Sequence, residues 1–202
     1  MDNTDRLIEL FREFPGIGPR QAKRFVYFLL NRNPAYASDL SKLIKEVRST
    51  MHSCDSCFRF FPNNNITCSI CRDEQRDKNS LMLVSHDVDF ENIERTHSYN
   101  GYYFILGGNV PILEKNPERR IRQNQLISTI EKKVVEGLKE IIMALNYNPE
   151  GENTQAYLTQ ILKPITDKYS IKISTLARGL STGTELEYSD SETIKNALKN
   201  RQ

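Results

Sequence analysis

FPGIGPRQAKRFVYFLL, Phe14 to Leu30, sets two glycines around one isoleucine, adds a proline and then resumes an apolar stripe. Ala22, Phe25, Val26, Leu29 and Leu30 recur at the spacing of one helix face, so the stretch after the turn predicts an amphipathic helix. Pro19 stands where a first-turn proline is tolerated. Upstream, Leu7, Leu10, Phe11 and Phe14 repeat the spacing, and Pro15 ends that earlier helix. Downstream, Asn33-Pro34 stops the second helix. Ser38 or Asp39 is placed to cap a third, with Leu40, Leu43, Ile44 and Val47 as its buried face.

Helix, PGIGP turn and helix is the pattern of a helix-hairpin-helix module. Gly16-Ile17-Gly18 leaves backbone N–H groups unhindered at a helix N-terminus, where the partial positive charge favours an anion. Arg20, Lys23 and Arg24 lie in the first turns of that helix, and from Phe14 to Ser38 there is no acidic residue. These groups could hold a DNA phosphate without reading a base. A plain turn between two helices with a solvated cationic face is the other reading, and both are open at this point.

With 202 residues and a net charge of +2, the chain suits one large or two small domains, and its charge balance neither demands nor excludes nucleic acid. No apolar run approaches membrane-spanning length, and MDNTDRLIEL lacks the regions of a signal peptide. A cytosolic protein is expected. After a charged spacer, LMLV (81–84), YYFIL (102–106), IIMAL (141–145) and IKIST (171–175) read as strands. Helices are expected around Ile93, from Gln123 to Leu138, from about Thr154 to Tyr169 and from Ser191 to Arg201. Alternating strands and helices imply an α/β fold with a mostly parallel sheet covered on both faces.

All four cysteines of the chain fall in CDSC (54–57) and CSIC (68–71). Two thiolates with two residues between them bind one ion from a tight knuckle, and two knuckles complete a tetrahedral set of four sulfurs, which suits zinc. A small polar segment offers no core for four free thiols, so Cys54, Cys57, Cys68 and Cys71 are assigned to one structural zinc ion. His52 is a bystander.

The chain as a whole resembles the RecR family of bacterial recombination mediators. FPGIGPRQAKR, the paired C-x2-C motifs, GYYFILGGNVP, NPEGENT and LARGLSTGTELEY carry the resemblance in that order. It implies a helix-hairpin-helix module (1–52), a four-cysteine zinc finger (53–78), a Rossmann-like Toprim α/β domain (79–170) and a C-terminal interface segment (171–202) with a strand and a helix. Family members form dimers or tetrameric rings that encircle DNA without sequence preference. They work with RecO, and in many bacteria RecF, to load RecA recombinase on gapped or SSB-coated DNA, and they are not enzymes. The resemblance makes Gly16, Gly18, Arg20, Lys23 and Arg24 the DNA-binding set. It makes Glu150 and Glu152 a RecO contact, against the plainer reading of loop solubility.

A metal-dependent Toprim nuclease or primase-like enzyme is the alternative. It needs a Glu after the first strand and paired acids after a later one, because clustered carboxylates hold Mg2+ against phosphate. Here LMLVSHDVD places Ser85 at the first position, with Asp87 and Asp89 displaced. Glu185 to Asp190 matches a Walker-B-like stretch of the family but has no partnering glycine loop, and Thr184 stands where a glycine is usual. No catalytic nucleophile presents itself.

Overall fold

The computed structural model describes residues 2–62, 65–177 and 191–199. The chain divides into two units, Met1–His52 and Ser53–Gln202.

The first unit holds α1 (Asn3–Arg12), α2 (Pro19–Leu30) and α3 (Pro34–Thr50). A capping box starts α1: Asp5 N–H donates to Asp2 Oδ1 at 2.8 Å, and Asp2 N–H to Asp5 Oδ2 at 3.3 Å. The chain then turns back through Gly16, whose φ of +75° admits glycine readily. Ile17 N–H closes the turn on Phe14 C=O at 3.1 Å. The Phe11 ring meets Phe14 and Phe25 edge-on, centroids 5.5 and 5.6 Å away, and joins α1 to α2.

Two details differ from the sequence reading. The third helix starts at Pro34, not after Ser38 or Asp39. The Asn33 side chain accepts from Ala35 N–H at 3.0 Å, and Pro34 is preorganised for the first helical position, so the pair that ends α2 also begins α3. The second difference is burial. In this unit only Ala22 and Val26 are buried among the described residues. Leu43, Ile44 and Val47, expected inside, are 57%, 61% and 57% exposed, and Leu30 is exposed as well. Packing of α1 on α2 closes their seam, while the stripe of α3 stays exposed.

After α3 comes β1 (Met51–Ser53), which ends on the first residue of the second unit and pairs with β2 (Phe60–Pro62) as a two-stranded ribbon, followed by the short α4 (Ser69–Arg72). Then come β3 (Asp77–Val84), α5 (Asp87–Glu94), β4 (Gly101–Ile105), α6 (Gln123–Val135), β5 (Glu140–Ala144), α7 (Pro149–Tyr169), β6 (Lys172–Thr175) and α8 (Ser191–Lys199). The sheet runs β4-β3-β5-β6, and every pair is parallel. Leu83 pairs with Phe104 on one side and Met143 on the other.

A parallel sheet needs cover on both faces, which is why its strands are apolar throughout. Leu81, Leu83, Phe104, Ile141 and Met143 pack with Leu126 and Ile130 of α6 and Leu158 and Leu162 of α7. The alternate positions, Met82, Val84, Tyr103 and Ile105, meet Phe90 of α5, with Ile93 beside it. Phe90 stands edge-on to Tyr103 at 4.8 Å. Among the described residues no helix is long and apolar enough to cross a membrane.

The element boundaries follow local chemistry. The strand read as Leu81–Val84 starts earlier, at Asp77, with a register irregularity before Leu81. Gly137, at φ +105°, ends the turn after α6, so buried Leu138 follows the helix instead of closing it. Asn148 caps Gly151 N–H at 2.8 Å and Pro149 takes the first position, so α7 begins five residues before Thr154. Gly151 is buried in this turn, where an added Cβ would lie 1.9 Å from Asn146 C=O. The substitution Gly151→Ala is therefore expected to cost about 1–3 kcal/mol, read as a lower urea midpoint with an unchanged slope.

Candidate nucleic-acid interface and metal centre

The sulfurs of Cys54, Cys57, Cys68 and Cys71 all lie within 4.8 Å of one another, and Cys57 Sγ is 3.6 Å from Cys68 Sγ. Four sulfurs bound tetrahedrally to one ion at ~2.3 Å stand roughly 3.8 Å apart, so the set fits one ion. The local backbone is built for it. Phe58 adopts φ 63° and its N–H donates to Cys54 C=O at 2.8 Å, which folds CDSC into a knuckle. Cys68 N–H donates to Cys54 Sγ at 3.3 Å, a contact that favours the thiolate. Cys54, Cys57 and Cys68 are buried with Phe61, while His52 is exposed and stays outside the set. Four sulfur donors fill a tetrahedral shell, the arrangement of a structural ion.

The knuckle is fastened to the sheet at β4, an edge strand. Ile105 N–H donates to Cys57 C=O at 2.8 Å. Tyr102 O–H donates to Asp73 C=O at 2.9 Å, and Phe60 N–H to Asp87 Oδ1 at 2.7 Å. Phe58 packs on Phe104, centroids 5.3 Å apart.

At the N-terminus of α2, Gly18 is the cap residue, makes no side-chain capping bond and is followed by Pro19. A Cβ added at Gly16 or Gly18 would meet nothing within 4 Å, so the approach to this end is open. Arg20, Lys23 and Arg24 are exposed, and among the described residues none of them forms an ion pair. The structure brings these cations beside two rings that the stripe reading passed over, Tyr27 and Phe28, with Asn31 completing one groove. The signal was present: Tyr27 and Phe28 stand one turn after Lys23 and Arg24.

The acidic residues do not converge in this way. Ser85 is fully buried, its Oγ 2.6 Å from Asn109 Oδ1. Asp87 is committed to Phe60 N–H, and Asp89 accepts from His86 N–H at 2.9 Å. Glu150 and Glu152 are exposed in the first turn of α7, where carboxylates suit the helix dipole. That turn is stitched to the loop after β4: Val110 N–H donates to Thr154 Oγ1 at 2.8 Å, and Asn153 Nδ2 donates to Val110 C=O at 2.9 Å. Among the described residues, the cysteine set is the one group of three or more His, Cys, Asp or Glu side chains placed to share an ion. Most of LARGLSTGTELEY, with Thr184 and Glu185 to Asp190, lies outside the described residues.

Comparison with known families matches a RecR helix-hairpin-helix to residues 4–48, a Toprim domain to 79–177 and a RecR C-terminal segment to 179–202. The recombination protein RecR of Bifidobacterium longum subsp. infantis is 37% identical over 197 residues, spanning 98% of this chain and 94% of its own length. That of Chloroflexus aggregans is 37% identical over 201 residues, with 98% and 92% covered. That of Myxococcus xanthus is 34% identical over 201 residues, with 100% and 98% covered. An open cationic helix end, a four-thiol knuckle and a parallel sheet whose first strand ends in serine thus stand in a chain matched almost end to end, and the chain belongs to the RecR family of recombination proteins.

Proposed function

We propose that the chain is a DNA-binding mediator of recombinational repair that closes around DNA as a ring of copies. It helps load RecA recombinase on gapped or SSB-coated DNA, together with RecO and, in many bacteria, RecF. The observation that carries the DNA-binding part is the α2 N-terminus: open glycines at Gly16 and Gly18, an uncapped helix end and three exposed cations. Backbone N–H groups there receive a phosphate, and Arg20, Lys23 and Arg24 add charge without reading a base. About three phosphate contacts per chain give weak binding, so several copies held together are needed for stable engagement. The exposed stripe of Leu43, Ile44 and Val47 supports assembly, because single chains rarely leave such a run uncovered. Glu150 and Glu152, held on the rigid start of α7, are the proposed contact with RecO. A cytoplasmic bacterial protein, with reduced thiols, is the setting in which one zinc ion on Cys54, Cys57, Cys68 and Cys71 shapes the knuckle.

The protein is a recombination mediator and not an enzyme. The alternative of a metal-dependent Toprim nuclease is disfavoured by Ser85, whose neutral hydroxyl is a poor Mg2+ ligand and lies against Asn109.

Replacing Lys23 and Arg24 together by Glu is expected to abolish DNA binding in a gel shift while zinc content, circular dichroism and solution mass stay unchanged. If the double variant binds as the parent does, the cations are a solvated helix face. Elemental analysis is expected to give one zinc per chain. The Cys68→Ser variant should lose the ion and about 10 °C of thermal midpoint, and a normally folded protein without metal would contradict the assignment. Labelled DNA incubated with the protein and Mg2+ or Mn2+ is expected to remain intact; divalent-dependent cleavage abolished by Glu150→Gln would show a working Toprim centre.

A further inference from the structure

The groove on α2 holds more than phosphate ligands. Arg20, Lys23 and Arg24 share it with Tyr27, Phe28 and Asn31. The two rings are 50% and 46% exposed, although nothing in an isolated αα-turn calls for adjacent aromatics on its wet side. Cations frame them. Lys23 Nζ is 5.9 Å from the Tyr27 centroid, and Arg32 lies 4.4 Å over Phe28 and 6.0 Å from Tyr36. Phe28 and Tyr36 meet edge-on at 6.1 Å, so the rings continue from α2 onto α3. No carboxylate occurs between Phe14 and Ser38 to neutralise this frame.

The choice of occupant follows from what each would leave unsatisfied. An apolar protein segment laid on the rings would bury guanidinium and ammonium groups without partners, at high cost. A nucleic-acid duplex would satisfy the cations, but its bases are stacked inside and the rings would gain nothing. A single strand offers phosphates to the cations and free base faces to the rings, which is how sequence-tolerant single-strand surfaces are made. Lys23 to Tyr27 and Arg24 to Phe28 each span four residues, about 6 Å of helix rise, so a phosphate and its neighbouring base can be met together.

We infer that this groove takes unpaired bases of single-stranded DNA on Tyr27 and Phe28, so that the chain prefers single strands to duplex. This rests on the reading of Arg20, Lys23 and Arg24 as phosphate ligands. Arg32 and Tyr36 extend the same surface.

The test uses the full chain, dye-labelled oligothymidine and a blunt duplex of equal length, with affinity read by fluorescence anisotropy at low salt. The double variant Tyr27→Leu with Phe28→Leu keeps apolar bulk but removes the π-faces. It is expected to lose about tenfold or more on oligothymidine and to stay within about twofold on duplex. Because the chain has no tryptophan, Tyr27→Trp supplies a second readout that does not depend on loss of binding. Its emission is expected to be quenched by oligothymidine and left unchanged by duplex. If the parent binds both DNAs and the leucine variant matches it on each, base stacking is overturned and the phosphate reading stands. If the parent binds neither DNA, the phosphate reading fails and this inference falls with it. If the leucine variant lowers the solution mass while discrimination between the DNAs persists, the rings are a contact between copies and the inference is overturned.

Discussion

The hydrogen bond from Ile105 N–H to Cys57 C=O, 2.8 Å long, fixes the four-cysteine knuckle to the open edge of the sheet, and the knuckle's place depends on it. An edge strand presents a row of unpaired backbone groups that invites pairing with other chains. Here β4 is that edge, and the knuckle covers part of it, with Phe58 on Phe104 sealing the contact. The knuckle has little core of its own beyond its cysteines and Phe61, and its four sulfurs are placed to share one ion. Cysteine set, knuckle and sheet edge therefore form one chain of support. Beyond the same strand, the loop through Asn109 and Val110 meets both Ser85 and the start of α7, which sets where Glu150 and Glu152 stand.

The elements that packing dictates were legible in the sequence. LMLV, YYFIL and IIMAL are continuous apolar runs because both faces of the sheet are covered, and no other position in the fold asks for that pattern. The cysteine spacing was legible because the geometry of one ion fixes it. Boundaries set by a capping side chain were harder. Asn33-Pro34 reads as a stop, and the later helix reads as starting near Thr154, yet at Asn33-Pro34 and at Asn148-Pro149 the Asn caps and the Pro begins the helix. The polar start of β3, DKNS, carries no apolar signal, since these residues hold their place through backbone pairing and the Asp77 side chain.

Burial in the first unit was the least legible property. A stripe such as Leu40, Leu43, Ile44 and Val47 announces that something covers it, not that the covering group belongs to the same chain. The rings of Tyr27 and Phe28 illustrate the converse. They fall off the buried stripe of Ala22 and Val26 and were passed over, although their offset from Lys23 and Arg24 placed them on one helix face. The two units accordingly divide the work. The second is a doubly covered sheet with the four-cysteine knuckle along its edge. The first is a three-helix module that leaves its cations and much of its apolar surface exposed.

Salt dependence is the most direct measure of whether those cations engage a nucleic-acid backbone. Affinity of the full chain for DNA, measured over a series of salt concentrations, is expected to fall linearly on logarithmic axes, with a slope of roughly −3 for each engaged copy. Multiples of that slope would accompany a ring that presents several modules at once. An affinity that stays flat as salt rises would contradict phosphate binding at the α2 N-terminus and leave Arg20, Lys23 and Arg24 as an ordinary solvated face.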